Sequence, residues 1–110
     1  MHRNVANQAP PSDINVLAVI QYSVQVLKVK DIIVTGHYGC GGIKASFVKH
    51  DHGPLEAWLS HIRDLRARYR KELTGSQEKN ENLLTELNVK HQVYNIARIP
   101  IVQQAWKEGQ

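Results

Sequence analysis

The chain has four stretches in which apolar residues recur every three or four positions, the spacing of a helix with one buried face. The first stretch follows Pro10 and Pro11, and either Ser12 or Asp13 is placed to cap a helix that runs to about Lys28. Its apolar stripe is wide, as expected for a helix packed against a sheet, and consists of Val16, Leu17, Val19, Ile20, Val24 and Leu27. The later stretches predict three more helices, with the stripes Leu55, Trp58, Leu59, Ile62, Leu65 and Tyr69; Leu83, Leu84, Leu87, Val93 and Ile96; and Val102, Ala105 and Trp106 after Pro100. Residues 74–79 are polar and are predicted to form a loop.

Residues 32–35 interrupt this helical pattern with an apolar run in which no polar residue alternates. Such a run predicts a strand covered on both faces, as in a parallel sheet. A short helix is then predicted to open at Gly41 and Gly42 and to run to about Lys49. The pattern predicts a helix-rich α/β fold in one domain over residues 1–110. Because a buried strand needs hydrogen-bonding neighbours on both edges, and only one convincing strand is present, the sheet is expected to be truncated.

Length and composition limit the classes of protein that the chain can represent. A chain of 110 residues with 42% apolar content suits a single domain. No apolar run approaches the roughly 18 residues of a membrane span, so no membrane partner is predicted. The N-terminal residues lack the apolar core of a secretory signal, and the single cysteine excludes an internal disulfide. A cytoplasmic location is therefore predicted, with a targeting segment upstream of residue 1 left open.

The formal net charge of +4 raises the question of nucleic-acid binding. Much of the excess positive charge lies in the second predicted helix, in Arg63, Arg66, Arg68, Arg70 and Lys71. No interleaved aromatic residues accompany these cations, and Asp64 and Glu72 balance part of their charge. A solvated helix face is the preferred interpretation, and no nucleic-acid partner is predicted.

The candidate chemistry lies directly after the predicted strand, in the run Gly36-His37-Tyr38-Gly39-Cys40-Gly41-Gly42. An imidazole and a thiolate at this spacing can both reach one soft cation such as Zn²⁺, and the glycines allow a tight turn. Considered alone, such a pair is more often a core histidine and an inert thiol, and tetrahedral zinc needs at least three protein ligands. His50 and His52 are candidates for a third ligand, although a solvated turn is the preferred interpretation there. His61 and His91 are expected on helices, as surface or packing residues.

Several segments of the chain resemble the β-class carbonic anhydrases in order and in spacing. They are residues 2–7 (His-Arg-Asn-Val-Ala-Asn), 20–24 (Ile-Gln-Tyr-Ser-Val), 36–42, 58–59 (Trp-Leu), 61–63 (His-Ile-Arg), 86–89 (Glu-Leu-Asn-Val), 92–95 (Gln-Val-Tyr-Asn) and 106–107 (Trp-Lys). The likeness covers essentially the whole chain, and chance agreement of all these segments is very improbable. The chain is therefore identified as a member of that family.

The resemblance implies a zinc enzyme that interconverts CO₂ and bicarbonate. Family members hold one zinc ion by Cys, His and Cys, and His37 and Cys40 match the second and third ligands. Tyr22 matches an aromatic residue that lines the CO₂ pocket, in many members from the neighbouring subunit, although its spacing alone also suits a core residue. Gly41 and Gly42 are expected to present backbone amides to bicarbonate at a helix N-terminus.

The resemblance also implies what Arg3 does and what the chain lacks. Arg3 resembles a residue that contacts a regulatory bicarbonate in some bacterial members, with a structural salt bridge as an equal alternative. The first zinc ligand of the family belongs to a Cys-x-Asp-Ser-Arg segment upstream of residues 2–7, together with the Asp–Arg pair that orients the zinc-bound water. Since this segment has no counterpart here, the chain resembles the central part of the enzyme. A fragment, a mis-predicted reading frame and a naturally shortened relative are the three origins to consider.

Three functional hypotheses follow. The first is a zinc-dependent carbonic anhydrase represented by its central portion, with little or no activity in the 110 residues alone. The second is a non-catalytic oligomerisation or interaction module. Family members dimerise extensively through helices, so a homo-oligomer, either a dimer or a tetramer, is expected if the chain folds. The third is an inactive fragment with no independent role.

Overall fold

The computed structural model describes residues 1–48 and 53–110, which form helices joined by irregular segments. The helices are α1 (Ile14–Gln21), α2 (Gly41–Ser46), α3 (Pro54–Arg68), α4 (Gln77–Ala97) and α5 (Pro100–Lys107). A 3₁₀ turn at Val5–Asn7 precedes α1, and a π-helical turn at Tyr22–Val26 extends it. Within the described residues, no helix is both long and apolar enough to cross a lipid bilayer.

The helix ends follow the capping residues in the sequence. The Asp13 carboxylate accepts a hydrogen bond from Asn15 N at 3.3 Å and caps α1, as predicted. Pro54 and Pro100 occupy the first turns of α3 and α5, where a missing N–H costs nothing. The loop predicted at residues 74–79 is wrong in its second half. The Ser76 hydroxyl accepts from Lys79 N at 3.3 Å, and α4 begins directly after this cap.

The strand predicted at residues 32–35 is not formed, and no β-strand occurs anywhere in the described part of the chain. A strand exists only where a second extended segment hydrogen-bonds to it, and the helices around residues 32–35 offer none. Ile32 and Val34 instead line a groove over α4 and α5, while Ile33 is 81% exposed. The expectation of a segment covered on both faces is therefore wrong. The helical part of the predicted α/β class is confirmed and its sheet is not.

Among the residues that the structure describes, the buried apolar side chains form two clusters. The first packs α1 and its π-helical turn against α5, and it comprises Ala9, Val16, Ile20, Val24, Ile99, Val102 and Ala105. The second packs α2, α3 and α4 together, and it comprises Ala6, Cys40, Ile43, Ile62, Leu65 and Leu84. Helix α4 reaches both clusters, through Leu87 in one and Ile96 in the other.

Arg63 corrects the interpretation of the basic helix as a uniformly solvated face. Its guanidinium donates to the carbonyl oxygens of Ala45 at 3.2 Å, Ser46 at 3.3 Å and Val48 at 2.7 Å, and it pairs with Glu56. These carbonyls lie at the C-terminal end of α2, where helical partners run out. Arg63 therefore fastens α2 to α3, which holds the start of α2 in place as well.

Candidate metal centre

Residues 36–40 form the turn that leads into α2 and carries both His37 and Cys40. Gly39 has a φ of +71°, a left-handed conformation that glycine adopts without strain. At Gly36 an added Cβ would lie 2.8 Å from Val89 Cγ2 and 2.9 Å from Asn7 Oδ1. The turn therefore requires glycine at both positions, once for conformation and once for close approach.

His37 is exposed, and the hydrogen bond of its ring fixes which nitrogen is available to a metal. Its Nδ1 lies 2.9 Å from the carbonyl oxygen of Tyr38. Because a carbonyl oxygen only accepts hydrogen bonds, Nδ1 carries the proton and donates. Nε2 then holds the free lone pair, which is the usual arrangement for a metal-binding histidine.

Cys40 is the residue that caps α2, and its thiol is buried in the second apolar cluster at 8% exposure. Its carbonyl oxygen accepts from Lys44 N at 3.0 Å, and its side chain makes no capping hydrogen bond. The sulfur is a free thiol that the helix does not use. One turn thus supplies a sulfur and a nitrogen, the donor types that zinc takes in proteins.

The number of donors, unlike their type, falls short of a zinc site. Among residues 1–48 and 53–110, no three His, Cys, Asp or Glu side chains lie close enough to hold one metal ion. His50 and His52, the predicted candidates for a third ligand, lie outside the described residues. His61 and His91 line a different cavity, between α3 and α4. The described residues alone therefore do not complete a zinc site.

The glycines that open α2 have different surroundings. A Cβ at Gly42 would lie 2.8 Å from Val5 Cγ1 and 3.1 Å from the Ala6 Cβ, so Gly42 is a packing contact. A Cβ at Gly41 would meet nothing within 4 Å. Of the two glycines predicted to face bicarbonate, Gly41 has open space beside it and Gly42 is covered. A role for either amide in binding bicarbonate stays a prediction.

The segment that covers Gly36 and Gly42 has a strained backbone. Ala6 and Asn7 have φ values of +63° and +42°, which residues with a side chain rarely adopt. Hydrogen bonds to α3 and α4 hold this segment: the Asn88 amide donates to Ala6 O at 2.7 Å, Trp58 Nε1 to Val5 O at 2.7 Å, and Ala9 N to Gln92 Oε1 at 2.7 Å.

Helix α4 supplies two of these bonds, through Asn88 and Gln92, which belong to a buried row of amide side chains that the sequence analysis missed. Gln92 donates to Asn88 Oδ1 at 2.8 Å, and Asn95 donates to Gln92 Oε1 at 3.1 Å. The predicted apolar stripe placed Val93 on the buried face of this helix, yet the Val93 side chain is half exposed. The signal was present in the sequence, because amides at positions 88, 92 and 95 share one helix face.

The turn also meets α4 at Tyr38. The negative charge of Glu86 raises the pKa of the Tyr38 hydroxyl, with smaller contributions from burial and from a hydrogen bond to the same carboxylate. Glu86 and Val89 lie one turn apart on α4. The turn that carries His37 is therefore positioned by two successive residues on one face of this helix.

Tyr22 and Arg3 are both exposed, and no contact with a described residue accounts for the role predicted for either. Tyr22 is 57% exposed on the π-helical turn, so the interpretation as a core residue is wrong. Its place in a CO₂ pocket stays a prediction. Arg3 is exposed and donates to Met1 Sδ at 3.2 Å, and it makes no ion pair with any residue that the structure describes. The proposed anion contact of Arg3 likewise stays a prediction.

Comparison with known proteins places the whole chain in one family. A family model described as carbonic anhydrase matches residues 1–110. A carbonic anhydrase of Emericella nidulans is 42% identical over 111 residues, covering 99% of this chain and 49% of that protein. The structure of a Coccomyxa β-carbonic anhydrase in complex with acetazolamide has a TM-score of 0.93 and 39% identity, covering 99% of this chain and 50% of its own. A structure from a study of two tetrameric β-carbonic anhydrases of Sordaria macrospora has a TM-score of 0.91 and 34% identity. It covers 97% of this chain and 56% of its own. The chain spans about half the length of the curated relatives that it matches.

Proposed function

The chain belongs to the β-class carbonic anhydrases, and from this membership we propose that it supplies part of a zinc site that interconverts CO₂ and bicarbonate. The observation that carries the proposal is the turn at residues 36–40. It offers a free imidazole nitrogen and an uncommitted thiol at the positions that match the family ligands. The chemistry that zinc supplies in such a site is Lewis acidity toward a bound water.

The residues of this chain have separate tasks in the proposal. The Tyr38 carbonyl sets the His37 tautomer, so the neutral imidazole would present Nε2 to the metal. Gly41 leaves room beside the turn for a small substrate, and Gly42 closes the opposite side against Val5. The remaining zinc ligand is not among the described residues, because no three donor side chains lie close enough there to hold one metal ion.

A metal titration tests the two donors directly. Co²⁺ added to the 110-residue chain should give thiolate-to-cobalt charge-transfer absorption with weak affinity, since two ligands do not complete a site. Cys40→Ser should abolish that absorption, and His37→Gln should weaken binding by about tenfold or more. His2→Gln is the control, because it removes an exposed histidine outside the turn and should change nothing. Equal binding by the His37→Gln and His2→Gln variants would contradict the assignment.

A chimaera tests the reaction. The 110 residues alone should hydrate CO₂ only at the uncatalysed rate in a stopped-flow assay. Placed in the matching half of the Emericella nidulans relative, they should restore zinc binding and CO₂ hydration. Activity should then be lost on Cys40→Ser. A folded, zinc-loaded chimaera without activity would rule out the proposed function for this segment.

A second candidate function, association without catalysis, is favoured by the outer face of α1 and its π-helical turn. Four large apolar side chains are exposed there, with exposures from 57% to 78%: Ile14, Tyr22, Val26 and Leu27. Adjacent exposed apolar residues of this kind mark protein–protein contact surfaces. We propose that this face joins copies of the chain, in keeping with the tetrameric relatives. Sedimentation of the zinc-free chain should show a compact oligomer that Val26→Lys disrupts, and a monomer at every concentration would argue against it.

A further inference from the structure

A second cavity lies apart from the turn at residues 36–40 and shares no residue with it. It has a volume of about 190 Å³ and opens between α3, α4 and the turn at Pro10 and Pro11. Its walls include the charged or titratable side chains His61, Asp64, Arg68 and His91, together with polar side chains such as Asn95.

These side chains converge because of helical spacing. His61, Asp64 and Arg68 follow one another at three and four residues on a single face of α3. His91 and Asn95 lie one turn apart on the facing side of α4. The edge of the Trp58 ring meets His61 at 6.2 Å between centroids, which orients that imidazole.

The fold does not use the charges in this cavity. Arg68 and Asp64 are four residues apart, a spacing that favours an ion pair, yet neither forms one with any described residue. The Arg68 guanidinium also makes no hydrogen bond within residues 1–48 and 53–110, whereas Arg63 on the same helix has five. The N–H donors of the Arg68 guanidinium are therefore available to a ligand in the cavity.

Two arginine charges act on His91 at the α4 side of the cavity. Burial lowers the pKa of His91 below its ordinary value of 6.5, and the charges of Arg68 and Arg98 lower it further. Asp64 supplies the carboxylate of the cavity wall. A cation is a poor occupant of such a site, and no described group of side chains there could chelate a metal.

We propose that this cavity binds a small oxyanion that carries an O–H group, such as a phosphate or a hydroxycarboxylate. The Arg68 guanidinium would pair with the anionic oxygens in its forked geometry, with His91 donating a further hydrogen bond. Asp64 would accept the hydrogen bond from the O–H group. A simple anion without a donor would leave that carboxylate facing negative charge, so the pair of charges selects for both features.

Inorganic phosphate at about pH 6 is the probe, with the imidazole resonances of His61 and His91 as the NMR readout. Phosphate should shift both resonances saturably, with a dissociation constant on the order of 1 mM. Arg68→Gln should weaken binding by about tenfold or more, because it removes a charged hydrogen-bonding partner. Arg70→Gln is the matched control, since it removes the same charge at an exposed position outside the cavity. Sulfate, which has no O–H group at this pH, should bind more weakly than phosphate, and Asp64→Asn should reduce that difference.

A second readout does not depend on any ligand. Removing the Arg68 charge should raise the pKa of His91 in the free protein, and Arg70→Gln should raise it less. Unchanged thermal unfolding of both variants shows that the fold is kept. Three results would each overturn the proposal. They are the absence of saturable shifts with phosphate, equal phosphate binding by the two arginine variants, and a His91 pKa that does not change when Arg68 is replaced.

Discussion

The turn that carries His37 is built from glycines with different tasks. Gly39 provides a left-handed backbone, whereas Gly36 and Gly42 provide space for Asn7 and Val5. A Gly→Ala substitution should therefore have a different effect on stability at each of these positions. At the scale of single residues, the neighbouring glycines Gly41 and Gly42 allow a direct comparison of such substitutions.

Gly42→Ala should destabilise the protein by about 1–3 kcal/mol, because its Cβ would lie 2.8 Å from Val5 Cγ1. Gly41→Ala should be neutral or slightly stabilising, since its Cβ meets nothing within 4 Å and alanine favours a helix. Urea unfolding of the two variants measures the difference. Equal destabilisation by both would show that the contact with Val5 is not the cause.

His91 should make the stability of the protein depend on pH. Its pKa is lower in the folded state than the ordinary 6.5, so the unfolded chain binds the proton more readily. The stability that this group contributes is therefore complete above pH 6.5 and is lost as the pH falls through 6.5 toward the lower folded value. His91→Gln should flatten this part of the profile, as measured by thermal unfolding between about pH 5 and pH 8. An unchanged slope would assign the pH dependence to other groups.

At the scale of elements, α4 organises the molecule through a buried face that is polar. Its amide row pairs with the Ala6 carbonyl and the Ala9 amide, two backbone groups that would otherwise lack partners in the segment before α1. That segment in turn covers Gly36 and Gly42. Removing one amide should thus disturb the turn at a distance.

Asn88→Ala should cost about 1–3 kcal/mol, because it leaves the Ala6 carbonyl and the Gln92 amide without partners inside the protein. Lys90→Ala, two residues away on the exposed side of α4, should change stability by no more than about 0.5 kcal/mol. Chemical denaturation of both variants is the measurement. A mild effect of Asn88→Ala would mean that water replaces the lost bonds.

The helices and the turn could be predicted from the sequence because their signals are local. Asp13 and Pro100 mark helix starts, and the glycines around His37 and Cys40 mark a turn within seven residues. The strand at residues 32–35 could not be judged locally, because a strand depends on a neighbour elsewhere. The left-handed conformation of Ala6 was equally hard to predict, since alanine gives no sign of it and the hydrogen bond that holds the Ala6 carbonyl comes from Asn88, 82 residues away.

At the scale of the whole molecule, the chain is more extended than a compact domain of its length. Its radius of gyration is 15.1 Å, against about 13 Å for a globular domain of this size. The extents of 45, 28 and 21 Å describe a long body with its apolar clusters side by side. An elongated body of this kind leaves apolar residues such as Ile33 uncovered.

Two isoleucines test this shape. Ile33→Ala should change stability by no more than about 0.5 kcal/mol, because the side chain is 81% exposed. Ile43→Ala should cost about 2–5 kcal/mol, because the side chain is 1% exposed within the second cluster. A large cost at Ile33 in urea unfolding would reveal that residues 32–35 are covered in solution, by a second copy or by a sheet.

The two apolar clusters, bridged by α4, also divide the molecule into regions that can open independently. Amide hydrogens of α1 and α5 should exchange with solvent deuterium as one cooperative group, and those of α2 and α3 as another. Substitutions that loosen the α1–α5 side would then leave protection around Cys40 intact. Selection could therefore remodel one end of this protein while the thiol-bearing end stays constant.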